Sequence, residues 1–327
     1  MPHNPHTASS GSSVTNSLAF KITMLLTALL VRLISVAEGA DYIIHFKSPH
    51  RYMIVVPVRV NGTGPYSFLL DTGATSSAVD PQLSTSLHLS AAQGAKMASW
   101  EDTSDVRRVF VQNLSLGAID SGPLSVLVQP LSEFKAFDSH LRGVLGQDML
   151  LPYNYLIDNR HHLIQFDKDS TLLPELTGDR ISITPVATRA GALEPRLIAI
   201  LVQTAVSPQP LHLLLDSGAD MVVLQPRFVP ANIFPRGVKW MADENGRSAA
   251  ATTFHTILSV GSEKFSAETW IGNAGLSRIV IDGLLPTGTF NQLYIANQGS
   301  FVIFEPGRMN HKAAPPAPEP GPPGLHP

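Results

Sequence analysis

The feature that most constrains this chain is an internal repeat. Leu69-Leu70-Asp71-Thr72-Gly73-Ala74, followed by Pro81, recurs 145 residues later as Leu214-Leu215-Asp216-Ser217-Gly218-Ala219, followed by Pro226. In each copy an apolar run ends in Asp-[Thr/Ser]-Gly-Ala, and a second apolar run follows: Ser77-Ala78-Val79 in the first, Val222-Val223-Leu224 in the second. The correspondence continues downstream. Phe110 with Leu114-Ser115-Leu116-Gly117 answers Phe254 with Leu258-Ser259-Val260-Gly261. Gly143-Val144-Leu145 answers Gly283-Leu284-Leu285, and the segment from Ile157 to Phe166 answers that from Ile295 to Phe304. Solenoid repeats recur every 20–50 residues or so, and a period of about 140 points instead to two duplicated lobes.

The local pattern is mostly strand. Tyr52 to Val60 and Leu197 to Val202 are rich in β-branched residues and bounded by turn residues. Asn61-Gly62-Thr63-Gly64-Pro65 predicts a turn that returns the chain into Tyr66 to Leu70 as a hairpin, and Asp243-Glu244-Asn245-Gly246 predicts another. Helical signals are short, such as Gln147 to Leu151 after Gly146. The expectation is an all-β protein with a few short helices.

Composition narrows the functions available. Charged residues are 15% of the 327, the net charge is -3, and apolar residues are 44%. A nucleic-acid binder needs a basic footprint, and this chain has none. The apolar content is too high and the charge too low for wholesale disorder. The absence of cysteine removes disulfides, thiolate nucleophiles and zinc–thiolate sites.

A single Asp-Thr-Gly is weak evidence, expected by composition on the order of once in ten chains of this length. It reads equally well as a side-chain-capped turn after a strand. Two copies at equivalent points of a repeat are different, because a turn has no need of that symmetry and a two-carboxylate site does. Glycine at the third position lets another backbone approach closely. The Thr72 and Ser217 hydroxyls can hydrogen-bond across the pair and fix both carboxyls. Two aspartates brought together share a proton, since both cannot ionise cheaply. A water between them can be deprotonated by one carboxylate while the other, protonated, polarises a carbonyl.

On these residues the chain resembles the retropepsin-like and pepsin-like aspartic proteases, in a form with both lobes on one polypeptide. The family pattern, Asp-[Thr/Ser]-Gly-[Ala/Ser] followed later by two apolar residues and glycine, is met by Asp71-Thr72-Gly73-Ala74 and Val144-Leu145-Gly146 in the first lobe. The second lobe gives Asp216-Ser217-Gly218-Ala219 and Leu284-Leu285-Pro286, with Pro286 where the family has glycine. The resemblance covers residues 41 to about 307. It implies two pseudo-symmetric acid-protease lobes, 41–175 and 176–310, with a cleft between them. It implies Asp71 and Asp216 as the catalytic pair, supported by Thr72, Gly73, Ser217 and Gly218. It also implies an aspartic endopeptidase taking an extended peptide or protein substrate, without metal or cofactor, and active as a monomer. The flap tyrosine of pepsin-like members has no evident counterpart. Met97 to Ser104 and Trp240 to Arg247 fall where flap hairpins would lie, which makes Trp100 the candidate substrate-covering residue. A half-buried hairpin aromatic is the competing reading of Trp100.

The ends read differently. Lys21 precedes the apolar run Ile22 to Val31; Arg32 interrupts it, and Ser35-Val36-Ala37 supplies small residues suited to signal cleavage. Residues 1–40 are therefore expected to be a signal peptide or N-terminal anchor, giving an exported protein, with any membrane contact made through that anchor. Residues 311–327 are expected to be a proline-rich disordered tail. His161-His162 suggests a metal only superficially, because adjacent strand residues point to opposite faces; a hairpin tip fits better. Asn61-Gly62-Thr63 and Asn113-Leu114-Ser115 are glycosylation sequons, meaningful only in a eukaryotic secretory protein. The rival to an enzyme is a peptide-binding protein that keeps the fold. Pro286 speaks for it and the two intact aspartates against it.

Overall fold

The protein is described by a computed structural model covering residues 42–308, apart from 93–94, 99–102, 136, 231–236, 243–247, 273–278 and 306. The leader assigned to 1–40, the tail assigned to 311–327 and Trp100 lie outside the described residues. No helix among the described residues is long and apolar enough to cross a membrane.

The fold is all-β, built of two eight-stranded sheets and a six-stranded sheet that joins them. In order across the first sheet run Arg108–Val111, Leu124–Val128, Ala78–Val79, Leu141–Leu145, Thr63–Leu70, Val55–Val60, Leu114–Leu116 and Ile119–Asp120. The second runs Thr184–Ala187, Leu193–Thr204, Ser207–Asp216, Gly283–Pro286, Val222–Leu224, Glu263–Ile271, Ser248–Val260 and Gly237–Ala242. Six neighbouring strands of one sheet match six of the other in order and in sense. The strand before each aspartate, Thr63–Leu70 or Ser207–Asp216, pairs antiparallel with the strand preceding it. It pairs in parallel with the late strand Leu141–Leu145 or Gly283–Pro286.

Register refines the sequence correspondence. Leu70 lies opposite Leu145 and Leu215 opposite Leu285, as the anchors predict. Phe110 does not answer Phe254. Val109 pairs with Val126 as Phe254 pairs with Thr269, and both Val109 and Phe254 are buried while Phe110 is 40% exposed. Identity of ring misled where burial decides the face, because a one-residue slip turns a strand side chain to the other side of the sheet.

The hairpin turn is tighter than the glycine- and proline-rich run suggests. Asn61 and Gly62 alone make it, with φ of 50° and 76°, and Thr63 is already in strand. Asn tolerates the left-handed region and Gly enters it freely, which suits a two-residue turn with positive φ at both positions. The other expected turn, at Asp243 to Gly246, lies outside the described residues, although the strands flanking it pair from Ala242 with Ser248 outward.

The strands entering the aspartates are apolar on both faces because both faces are buried. Phe68, Leu70, Leu213 and Leu215 point into a core shared by the two lobes and the joining sheet. Leu69 and Leu214 point the other way, into separate clusters beneath each lobe. In the joining sheet Asn154–Asp158 pairs antiparallel with Gln292–Ala296, Leu156 lying opposite Tyr294. Outward on each side come Leu163–Asp167 with Ile43–His45, and Phe301–Phe304 with Arg180–Ser182. The two histidines do sit at the tip between Asn154–Asp158 and Leu163–Asp167, and His161 Nδ1 meets the Asp158 carboxylate at 2.8 Å.

Glycine is required at 143 and 283 by the strand alongside. A Cβ on Gly283 would run into the Val223 carbonyl oxygen, and one on Gly143 would meet the Ala78 carbonyl oxygen at 2.6 Å as well as the Phe68 ring. Gly283→Ala is expected to cost about 3 kcal/mol through forced backbone displacement. Urea unfolding of the single variant checks this, and an unchanged midpoint would contradict it.

Candidate active site

Each aspartate emerges from a buried strand into a turn whose own backbone holds its carboxylate. Gly73 and Ala74 N–H donate to Asp71 Oδ1 at 2.8 and 3.0 Å, and Gly218 N–H donates to Asp216 Oδ1 at 2.8 Å. The Asp71 N–H donates to the Leu145 carbonyl at 3.0 Å, which ties this turn to the parallel strand beside it.

The two turns interlock. Thr72 Oγ1 donates to the Leu215 carbonyl at 2.8 Å and accepts from Ser217 N–H at 3.0 Å. Ser217 Oγ donates to the Leu70 carbonyl at 2.8 Å and accepts from Thr72 N–H at 3.0 Å. All four bonds are buried and each crosses between lobes. The hydroxyls thus do cross the pair, but they hold the opposite backbone rather than the carboxyl oxygens. Each glycine then makes room for the other lobe's aspartate. A Cβ at Gly73 would lie 2.8 Å from Asp216 Cγ, and one at Gly218 would lie 2.9 Å from Asp71 Cγ. The sequence-predicted residues Asp71, Thr72, Gly73, Asp216, Ser217 and Gly218 therefore come together in one cluster.

The electrostatics follow from that proximity. Burial pushes the Asp71 carboxyl well above the ordinary carboxylate range, and the charge of Asp216 beside it pushes further in the same direction. Burial also raises Asp216, against the opposing N–H of Gly218. Asp216 is 8% exposed while Asp71 is half-buried, so the pair keeps one open side. Two like charges in hydrogen-bonding contact hold one proton between them into a pH range where a free carboxylate is ionised.

The bracing behind the two turns differs between lobes. Behind Asp71, Gly146 N–H donates to Ser77 Oγ at 3.0 Å, and Ser77 donates through its own N–H and hydroxyl to the two Asp148 oxygens at 2.8 and 2.6 Å. Gln147 Nε2 donates to the Thr72 carbonyl at 2.9 Å, and Gln147 N–H to the Ala74 carbonyl at 2.8 Å. Burial raises Asp148, opposed by the Ser77 bonds and by the charges of Arg196 and Arg108. Behind Asp216 the equivalent positions are Pro286, Val222, Thr287 and Gly288. Pro286 lies opposite Asp216 in register. Proline removes the donor that Gly146 supplies, and Val222 removes the acceptor that Ser77 supplies. The loss of the Gly146–Ser77 bond is therefore matched, donor and acceptor going together, while the buried Thr287 hydroxyl in place of Gln147 has no hydrogen-bond partner among the described residues.

Two further residues tie the joining sheet to these braces. Asn159 Nδ2 donates to the Thr287 and Phe290 carbonyls at 3.2 and 2.8 Å, and Asn297 Nδ2 donates to the Leu150 and Tyr153 carbonyls at 3.3 and 2.8 Å. Each asparagine thus supports the other lobe's aspartate turn. Sequence reasoning passed over them, although Ile157-Asp158-Asn159 and Ile295-Ala296-Asn297 place both asparagines at matching points of the repeat.

Among the described residues no group of His, Cys, Asp and Glu could hold a metal ion. Residues 56–150, which contain Asp71 and its brace, match the family model described as aspartyl protease. The chain is similar to that family over these residues, which take in Asp71 and leave Asp216 outside. Among solved structures, a retropepsin-like aspartic protease from Rickettsia conorii is similar at 17% identity, over 38% of this chain and 87% of that chain, with a TM-score of 0.29. No curated protein matches the chain.

Two outcomes follow for stability. Thr72→Ala removes two buried cross-lobe bonds and leaves Ser217 N–H and the Leu215 carbonyl without those partners, a loss of roughly 2–4 kcal/mol that denaturant titration would read. A null effect would mean the lobes do not depend on this contact. Asp71 has a folded pKa above its unfolded value, so its stabilising contribution is full below about pH 4 and lost as pH rises through the folded pKa. Asp71→Asn, which cannot ionise, is therefore expected to gain stability over the wild type as pH is raised from 4 to 7. A pH-independent difference between the two midpoints would contradict the raised pKa.

Proposed function

We propose that the protein is an aspartic-type endopeptidase and that Asp71 and Asp216 are its catalytic pair. The observation that carries this reading is the reciprocal placement of each carboxylate against the other lobe's glycine. A pair so placed and sharing one proton suits hydrolysis by an activated water. The ionised carboxylate takes a proton from water, whose oxygen attacks the peptide carbonyl carbon. The protonated carboxyl donates toward the carbonyl oxygen as the tetrahedral diol forms. On collapse the C–N bond breaks, the carboxyl that took the water proton gives it to the leaving amine, and a diol hydroxyl returns its proton to the other carboxylate as the new carboxyl group forms, which restores the single-proton pair. The four cross-lobe bonds fix the spacing between the two acids, so little rearrangement is needed as charge moves.

The substrate in this reading is an extended peptide lying as a strand across the open side of the pair. Both acids come from one chain, which supports a monomeric enzyme. The binding-protein alternative rested on Pro286, and the matched change at Val222 weighs against it.

Digestion of a denatured protein substrate between pH 3 and 8 tests the reading. The wild type is expected to cleave, with a rate linear in enzyme concentration. Asp71→Asn and Asp216→Asn should each reduce the rate at least about a hundredfold, the scale on which a lost general acid or base is felt. Gly73→Ala should do the same by displacing Asp216. Cleavage persisting in both Asn variants would sink the dyad, and a rate rising with the square of concentration would sink the monomer.

A further inference from the structure

The pseudo-symmetry that pairs the aspartates also pairs the residues on either side of them, and there it breaks in charge. Thr75 follows Asp71 by four residues, and Asp220 follows Asp216 by four. Next to Thr75 comes an arginine from the other lobe: Arg196, exposed, reaches the Thr75 carbonyl with Nη1 at 3.4 Å. The matching residue of the first lobe is Tyr52, since Val55 and Ala199 occupy the same place opposite Leu69 and Leu214. Tyr52 is half-buried and lays its ring on Gly288, leaving no room for a Cβ there.

Charge follows the same split. Near Thr75 a second guanidinium, Arg108, donates to Ser76 Oγ at 3.3 Å and to the Ser125 carbonyl at 2.9 Å. Its register equivalent in the other lobe is Thr253, opposite Trp270 as Arg108 is opposite Leu127. Arg196 and Arg108 together face one half-buried carboxylate, Asp148, which is already hydrogen-bonded by Ser77. On the other side Asp220 is half-buried and makes no hydrogen bond or ion pair among the described residues. Arg51, beside Tyr52, is 3.7 Å from Glu268 and adds no net charge. Two guanidinium groups thus lie toward Thr75, with Glu194 on the same strand face as Arg196, while the matching position in the other lobe is the carboxylate of Asp220.

We propose that this makes the cleft a polar recognition site for peptides of opposite charge on the two sides of the cleaved bond. An acidic side chain lies toward Arg196 and a basic one toward Asp220. The proposal rests on the peptidase reading for the existence of a bound peptide, and it adds the substrate class. Exposed charge pairs of this kind are worth little individually and are screened by salt, so the effect is a preference rather than an absolute requirement.

The test measures binding, so that it stands apart from turnover. Three octapeptides with a reduced, uncleavable central amide would be titrated against the full-length protein: Glu before and Lys after the centre, the reverse order, and Gln at both places. One charged order is expected to bind about 3- to 10-fold tighter than the neutral peptide at low salt and the other more weakly, with the spread closing near 1 M salt. Arg196→Met and Asp220→Asn should each remove part of the gain, and the double variant all of it. Equal affinity for the three peptides, or a preference that survives both substitutions, overturns the proposal. Binding with the expected charge order but without cleavage of the ordinary amide peptide would count against the catalytic reading and leave the polar cleft standing.

Discussion

Everything at the centre of this molecule depends on four hydrogen bonds between Thr72 and Ser217 and the backbones they face. They are buried, reciprocal and made between lobes, so neither aspartate turn has its observed shape without the other. The same crossing brings each carboxylate over the opposite glycine, where any side chain would expel it. Two carboxyls are thereby held together away from water; burial raises both acids, and the charge of Asp216 raises Asp71 further. Strain of this sort is sustained only by a surround that over-determines it. Here the surround includes the shared core and the joining sheet, whose Asn159 and Asn297 each reach the brace of the opposite lobe.

The two lobes reach the same turn by different chemistry. The first braces its aspartate with a network of Ser77, Gly146, Gln147 and Asp148. The second uses Val222 and Pro286, which together omit both halves of the equivalent hydrogen bond. A polar network fixes geometry tightly but exposes the turn to the ionisation of a half-buried acid, whereas apolar packing is indifferent to pH. The asymmetry continues outward into Arg196 against Tyr52 and Thr75 against Asp220. A symmetric pair of acids thus sits in an asymmetric frame, the feature from which the proposed peptide preference is drawn.

Much of this was legible in the sequence because the informative residues repeat. Two Asp-[Thr/Ser]-Gly-Ala motifs after Leu-Leu runs, and Gly-Val-Leu answering Gly-Leu-Leu, located the strands, the turns and the parallel pairing behind them. Burial on both faces left no alternation to read, so the Leu-Leu runs showed as strands through length and context rather than period. What escaped was whatever the repeat does not mark locally. Phe110 was matched to Phe254 by identity, although a one-residue shift puts Val109 at the buried place. The asparagines at 159 and 297 look like ordinary turn residues until the opposing carbonyls are seen. Pro286 read as a defect because its compensation, Val222, lies 64 residues away and no single motif contains both. The destination of the Thr72 and Ser217 hydroxyls was also misread, since spacing gives their nearness but not which oxygen they face.

The central claim is that the two lobes hold Asp71 and Asp216 close enough to share one proton. Carbon-13 NMR of the aspartate carboxyl groups, followed through a pH titration of the intact protein, tests it most directly. The account predicts one carboxyl that stays protonated well above the ordinary carboxylate range and whose resonance disappears in Asp71→Asn, while in Asp216→Asn the Asp71 carboxyl titrates lower than in the wild type. Titration of every aspartate within the ordinary range, in a folded protein, would contradict it.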